Sequence, residues 1–187
     1  VGTGKYLEVA DLTNTSQQTL YGIKDNNDSA TIVNPRSQLV QQTIVPAGPG
    51  ERTSGTNNAV NFETGPGWFV DLPDSGERQN VNSQLVLGTL LVPTTVPTSS
   101  PCQPAGYGWF NFFDYRTGLS VIQPSGLVSK ITTSPIVGFN VVYVDGKPRV
   151  SVVTADNPTP QLIPDIPFSG SGTGFQKTRA IWREMLP

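Results

Sequence analysis

"GWFVDLPDSGER", residues 67 to 78, is the stretch on which the reading of the whole chain turns. Its first half, through Trp68, Phe69 and Val70, is aromatic and β-branched, the composition of a packed strand. Its second half carries turn chemistry. Pro73 presets one backbone angle, Asp74 and Ser75 cap the turn, and Gly76 accepts a positive φ. Glu77 and Arg78 then open the next strand with an ion pair. The same string holds three carboxylates, Asp71, Asp74 and Glu77. Two carboxyls about 5 to 9.5 Å apart are what glycoside hydrolysis requires, and Trp68 would offer a face for stacking on a sugar. The turn accounts for more of these residues than the active site does.

Outward from this string, short β-branched and aromatic runs dominate: 19–23, 38–45, 84–92, 108–115, 136–144 and 149–154. Clusters of Gly, Pro, Asn and Asp separate them, which argues an all-β fold. Asp145-Gly146 marks the clearest hairpin, since this pair suits a type I′ turn. Four segments end an apolar run in Asp followed by a turn: "LYGIKD", "GWFVDLPDSG", "GWFNFFDYRTG" and "VVYVDG". Their aspartates, 25, 71, 114 and 145, recur at intervals of 46, 43 and 31 residues. Propeller blades recur at roughly 40 to 50 residues with four strands each. Several blades of a partial β-propeller are therefore expected, with a β-sandwich as the rival architecture.

The chain has 187 residues, which suggests a single domain or a piece of a larger one. It begins inside what reads as a strand, "VGTGKYLEVA", as a fragment of something longer would. Residues 46–58, 93–106 and 157–174 are rich in Pro, Ser and Gly and read as loops. The one helical candidate is "RAIWREML" (179–186), too short to stand alone. Low charge (14%) with abundant Ser, Thr and Asn gives the composition of an extracellular β protein.

Charge and residue counts exclude several functions. A net charge of −2 leaves no electrostatic footprint for nucleic acid. With no histidine, Ser-His and Cys-His triads and His-ligated metals are ruled out. Cys102 is the single cysteine, so no disulfide closes within the chain. It either pairs with a partner outside these residues or stays a free thiol. "GTGK" (2–5) lacks the first glycine and the hydroxyl residue of a phosphate loop, and reads as a bulge or turn. "KDNNDSA" (24–30) places Asp25 and Asn27 like the first calcium-loop ligands, but Ala30 stands where glycine is needed and no distal Glu follows. An Asx-rich turn is the plainer reading. "NTS" (14–16) and "NDS" (27–29) are formal glycosylation acceptors.

Taken in order, "GTGKYLE" (2–8), "QTLYGIKD" (18–25), "SQLVQQTI" (37–44), "GWFVDLPDSGER" (67–78), "PCQPAGYGWFNFFDYRTG" (101–118) and "WREM" (182–185) resemble the C-terminal end of the PilY/PilC family of type IV pilus-tip adhesins. The resemblance spans essentially the whole chain. It implies the last blades of a quinoprotein-like β-propeller, a bacterial cell-surface location, and a non-enzymatic role in pilus assembly, twitching motility and attachment. Partners implied are minor pilins, the pilus machinery, a host-cell surface and the rest of the same propeller. The family's calcium loop would precede "GTGKYLE", so no cofactor is expected within these residues. The Arg-Gly-Asp motif of some members is absent. Loops 93–106 and 157–174 are the expected contact regions. The alternative is a secreted carbohydrate-binding or glycan-hydrolysing domain using Asp71, Asp74 and Glu77.

Overall fold

The structure, a computed structural model, describes residues 1–25, 31–98, 106–122 and 126–169. Within them the strands run in chain order as β1 (Thr19–Ile23), β2 (Val40–Gln42), β3 (Ile44–Gly48), β4 (Glu51–Ser54), β5 (Gly67–Asp71), β6 (Gln84–Val86), β7 (Thr89–Pro97), β8 (Gly106–Asp114), β9 (Leu127–Thr132), β10 (Ile136–Val144), β11 (Lys147–Thr154) and β12 (Asn157–Ile163). They form three sheets, none closed into a barrel: a six-stranded β3-β4-β9-β8-β7-β6, and two three-stranded sheets, β1-β5-β2 and β10-β11-β12. The fold is all-β, as the composition leads one to expect, and every pairing is antiparallel except β2 with β5.

Strand alternation explains the layering. Along β8, Phe113 packs with Trp68, Val70, Leu20 and Val92, whereas Phe110 and Phe112 pack with Val86, Leu91, Ile136, Val150 and Val152. Successive side chains of a strand point to opposite faces. The six-stranded sheet is thus the middle layer, with β1-β5-β2 over one face and β10-β11-β12 over the other. Burying each of these aromatics contributes roughly 1.5–3 kcal/mol. β8 carries aromatic side chains on both faces because both are covered.

One segment belongs to two layers. β2 runs parallel to β5 in the first sheet, and β3, beginning two residues later at Ile44, is an edge of the middle sheet. Gln42 lies fully buried at this crossing. Its amide nitrogen donates to the Asn58 and Thr117 carbonyls, and its amide oxygen accepts from the Thr56 hydroxyl and the Asn58 amide. A buried amide with partners on both ends costs little to desolvate.

Several sequence expectations need correction. Residues 46–58 are not simply a loop, because β3 and β4 form a hairpin through them. The run 84–92 is not one strand: Leu87 (φ 46°) and Gly88 (φ 77°) fold it into a β6–β7 hairpin with the positive-φ geometry of a type I′ turn. Of the expected loop 93–106, residues 93–97 continue β7, 106 begins β8, and 99–105 lie outside the described residues. Of 157–174, residues 157–163 are β12, and 170–174 lie outside them. Ladder partners outweigh the prolines there: β12 is an edge strand, where proline is tolerated, and Pro93 and Pro97 lie past the part of β7 that pairs with β6. Residues 1–10 are not one strand either. Residues 1–3 pair with β1, and Val9–Leu12 form a 3₁₀ turn capped by the Asp11 carboxylate, which accepts from the Leu7 and Glu8 amides. The first two repeat units, at Asp25 and Asp71, pair with each other as β1 and β5 within one sheet. The 179–186 candidate helix lies outside the described residues. The Asp145-Gly146 turn forms as expected, with φ of 51° and 72°.

Candidate functional site

Residues 67–78 run from the first layer to the edge of the middle one, and the turn read from them forms with Gly76 as expected. The Asp74 side chain does not cap it: its carboxylate faces Arg52, Tyr107 and Trp109, and the Glu77 carboxylate accepts from the Asp74 amide. The Glu77 amide donates to the Asp74 carbonyl (3.0 Å), closing a turn in which Gly76 has φ 73°. A Cβ at Gly76 would stand 2.9 Å from the Asn14 carbonyl, so both conformation and space demand glycine. The three carboxylates do not form one cluster. Asp71, at the end of β5, takes a two-pronged ion pair from Arg36 (2.9 and 2.6 Å) and a hydrogen bond from the Thr19 hydroxyl (2.6 Å). The Arg36 guanidinium, then burial acting in the opposite direction, then the Thr19 hydroxyl set the Asp71 carboxyl below its ordinary value.

Asp74 and Glu77 share a different arginine. Arg52 of β4 lies with Nη2 2.7 Å from Asp74 Oδ2 and 2.9 Å from Glu77 Oε2, while Nη1 donates to Glu77 Oε1 at 3.0 Å. The guanidinium rests on the Trp109 ring, 3.7 Å from its centroid. Glu77 is fully buried, and Thr94 donates to its Oε1 at 2.6 Å. The chain of bonds continues across the middle sheet. Asn111 donates to the Thr94 hydroxyl (3.1 Å) and to the Val92 carbonyl (3.0 Å), and Ser129 donates to Asn111 Oδ1. Asp74 Oδ2 also accepts from Tyr107 Oη and Trp109 Nε1, each at 2.8 Å. Burial pushes the Asp74 carboxyl up, but the Trp109 N–H, the Arg52 charge and the Tyr107 hydroxyl outweigh it and set it below its usual value. Burial, with the Asp74 carboxylate as acceptor, pushes the Tyr107 phenol up to about 12.

This arrangement overturns two sequence expectations. Glu77 pairs with Arg52, not with Arg78. Arg78, also buried, donates to the carbonyls of Gly76, Lys5 and Asn14, tying the N-terminal segment down, and makes only an isolated bridge to Thr95 instead of starting a strand. Trp68 offers no sugar-stacking face. It is fully buried, donates to the Tyr115 carbonyl at 3.0 Å, and lies under Gly22 and Gly118, where an added Cβ would come within 2.3 and 2.4 Å of its ring. Chemically, Glu77 has no oxygen open to a substrate. Asp74 is held ionised, the opposite of the raised pKa a general acid needs.

The residues that complete the cluster were missed because they are distant in sequence. Arg52 sits in a stretch read as loop, and Thr94, Tyr107 and Trp109 lie on other strands. One signal was present: Asn111, a lone amide inside the aromatic run "WFNFF", had to find a buried partner. The "WREM" string lies outside the described residues, as do Asn27 and Cys102. Asp25 is described, and among the described residues no group of three or more potential metal ligands comes together. An open cleft of about 700 Å³ lies between residues 1–7 and 79–83, lined by amides and hydroxyls of Gln79, Asn80, Asn82 and Ser83 with Lys5 and Tyr6. No helix among the described residues is long and apolar enough to cross a membrane. Comparison with protein-family models, with curated proteins and with solved structures finds no match to this chain.

Proposed function

We propose that this chain is a non-enzymatic structural and interaction module of a PilY/PilC-type pilus-tip adhesin, supporting pilus assembly, twitching motility and surface attachment through minor pilins. One observation carries the reading: among the described residues, the strings behind the resemblance meet one another inside the fold. "QTLYGIKD" forms β1 and "SQLVQQTI" leads into β2, the two neighbours of β5 from "GWFVDLPDSGER". Lys5 of "GTGKYLE" receives Arg78. "GYGWFNFFDYRTG" contributes β8, with Trp109 and Tyr107 on the Arg52 cluster and Gly118 against Trp68. Residues that touch one another across strands, with β5 and β8 buried at their centre, are the signature of a shared scaffold, as expected of a module whose task is to hold a shape. With this reading goes the finer architecture of a partial propeller, for which the consecutive antiparallel run β6-β7-β8-β9 supplies a four-strand unit. Packing of sheets on both faces of that unit equally suits a sandwich.

Removing this chain from the protein that carries it, in a piliated bacterium, is the test. Loss of surface pili and of twitching is expected; wild-type piliation and attachment would sink the proposal. Deleting 93–106 or 157–174 does not serve, because both stretches contribute strands.

A further inference from the structure

The sheet edges of this molecule are not alike. β12 is blunted by Pro158 and Pro160, β3 carries Pro46, β6 is three residues long, and β1 is covered by residues 1–3. Proline, short length and cover are the usual protections of an edge. β10 has none of them. Its nine residues, "IVGFNVVYV", include no proline and no charge, and Val137, Val142, Tyr143 and Val144 are exposed. Among the described residues β10 pairs only with β11.

The edge has a definite polarity. The two-residue turn Asp145-Gly146 makes Val144 and Lys147 a hydrogen-bonded pair. By antiparallel alternation Val142 and Asn140 also direct their backbone groups at β11, and those of Phe139, Val141 and Tyr143 face outward. Along its strands the outer face of this hairpin carries two cations, the one acid of the hairpin being Asp145 in its turn. Arg149 lies opposite Val142 and Lys147 opposite Val144, both exposed, and among the described residues neither enters an ion pair. The inner side of the edge is hollow near its start: Gly138 and Phe139 face Val81, Asn82, Ser83 and Gln84 across an open cleft of about 310 Å³.

We propose that the free edge of β10 accepts an extended strand from an acidic partner protein. In such strand addition, backbone hydrogen bonds supply affinity and alternate side chains supply selectivity. Acidic side chains on the outer face meet Arg149 and Lys147 across the small Val142 and Val144, and an aliphatic side chain on the inner face enters the cleft beside Phe139. A second copy of this chain is the poorer occupant, since β10 brings no acid to the two cations. This site stands independently of the pilus assignment.

The probes are two blocked synthetic peptides, one alternating valine with glutamate and one alternating valine with lysine, titrated into the whole chain. The valine–glutamate peptide binds about tenfold more tightly, the scale of two exposed charge contacts, and slows hydrogen exchange at the Phe139, Val141 and Tyr143 amides. The double reversal Lys147→Glu/Arg149→Glu, at exposed positions, inverts the preference. Tyr143→Pro removes binding with the circular dichroism unchanged, because the lost N–H points away from β11; should that variant misfold, the charge reversal still decides. Equal affinities, a preference that survives the reversal, or binding without protection of the three amides overturns the proposal. So does a homodimer that protects those amides and excludes the peptide.

Discussion

Two arginine–carboxylate pairs lie within a few residues of each other at the corner formed by 67–78, and they differ chiefly in their surroundings. Asp71 and Arg36 meet in a well-formed fork at the surface, with the Arg36 side chain half exposed. Glu77 and Arg52 meet in the interior, both side chains essentially without solvent contact, under Trp109 and against Thr94. Water already serves the first pair when it is broken. Nothing serves the second, so the same chemistry is weakly stabilising in one place and costly to disturb in the other.

Arg52→Ala breaks the comparison most severely. It leaves Glu77 buried and charged, and a loss of about 3–5 kcal/mol is expected in urea-induced unfolding. Glu77→Gln keeps the shape and removes one charge; roughly 1–3 kcal/mol is expected, since Arg52 retains Asp74. A wild-type midpoint for either variant would mean that the interior pair is not a structural element. The pH dependence comes next. Asp74 has a lowered carboxyl pKa, so below its unfolded value of 3.8 the native state binds fewer protons than the unfolded state and stability falls as pH falls. Tyr107 has a raised pKa, so its contribution is complete below its unfolded value of 10.0 and is lost as pH rises through about 12. Asp74→Asn should flatten the acid limb of a stability–pH profile and Tyr107→Phe the alkaline limb. A profile unchanged in both variants would show that the two groups do not interact. Smallest is Arg36→Ala, with about 0–1 kcal/mol expected. Coupling between Arg36 and Asp71 in a double-mutant cycle as large as that between Arg52 and Glu77 would erase the contrast.

Much of the fold could be read because it is written locally. The run 19–23 is β1, Asp145-Gly146 turns as read, and Gly76 takes its positive φ, since each depends on neighbours in sequence. What could not be read depends on distance. Arg52 lies 25 residues before Glu77, in a stretch whose glycines and prolines also suit a loop. Trp68 looked like a ligand platform because sequence cannot show that Gly118 clears space above its ring. The prolines of 93–97 and 157–163 suggested loops, where the outcome depended on whether a strand partner was present.

The continuous segment through β2 and β3 has a mechanical consequence. Its halves are hydrogen-bonded into different layers, and four hydrogen bonds of Gln42 lock the crossing, so tension on the β1-β5-β2 sheet passes directly along this backbone, as along residues 67–78, into the middle sheet. The first two layers therefore cannot act as a hinge and should yield together under load. The third, reached through the short link between β9 and β10, shares no strand with the middle sheet and is held to it by side-chain packing around Phe110 and Phe112 and by the bonds of Pro167 and Ser169 to Thr89 and Leu87.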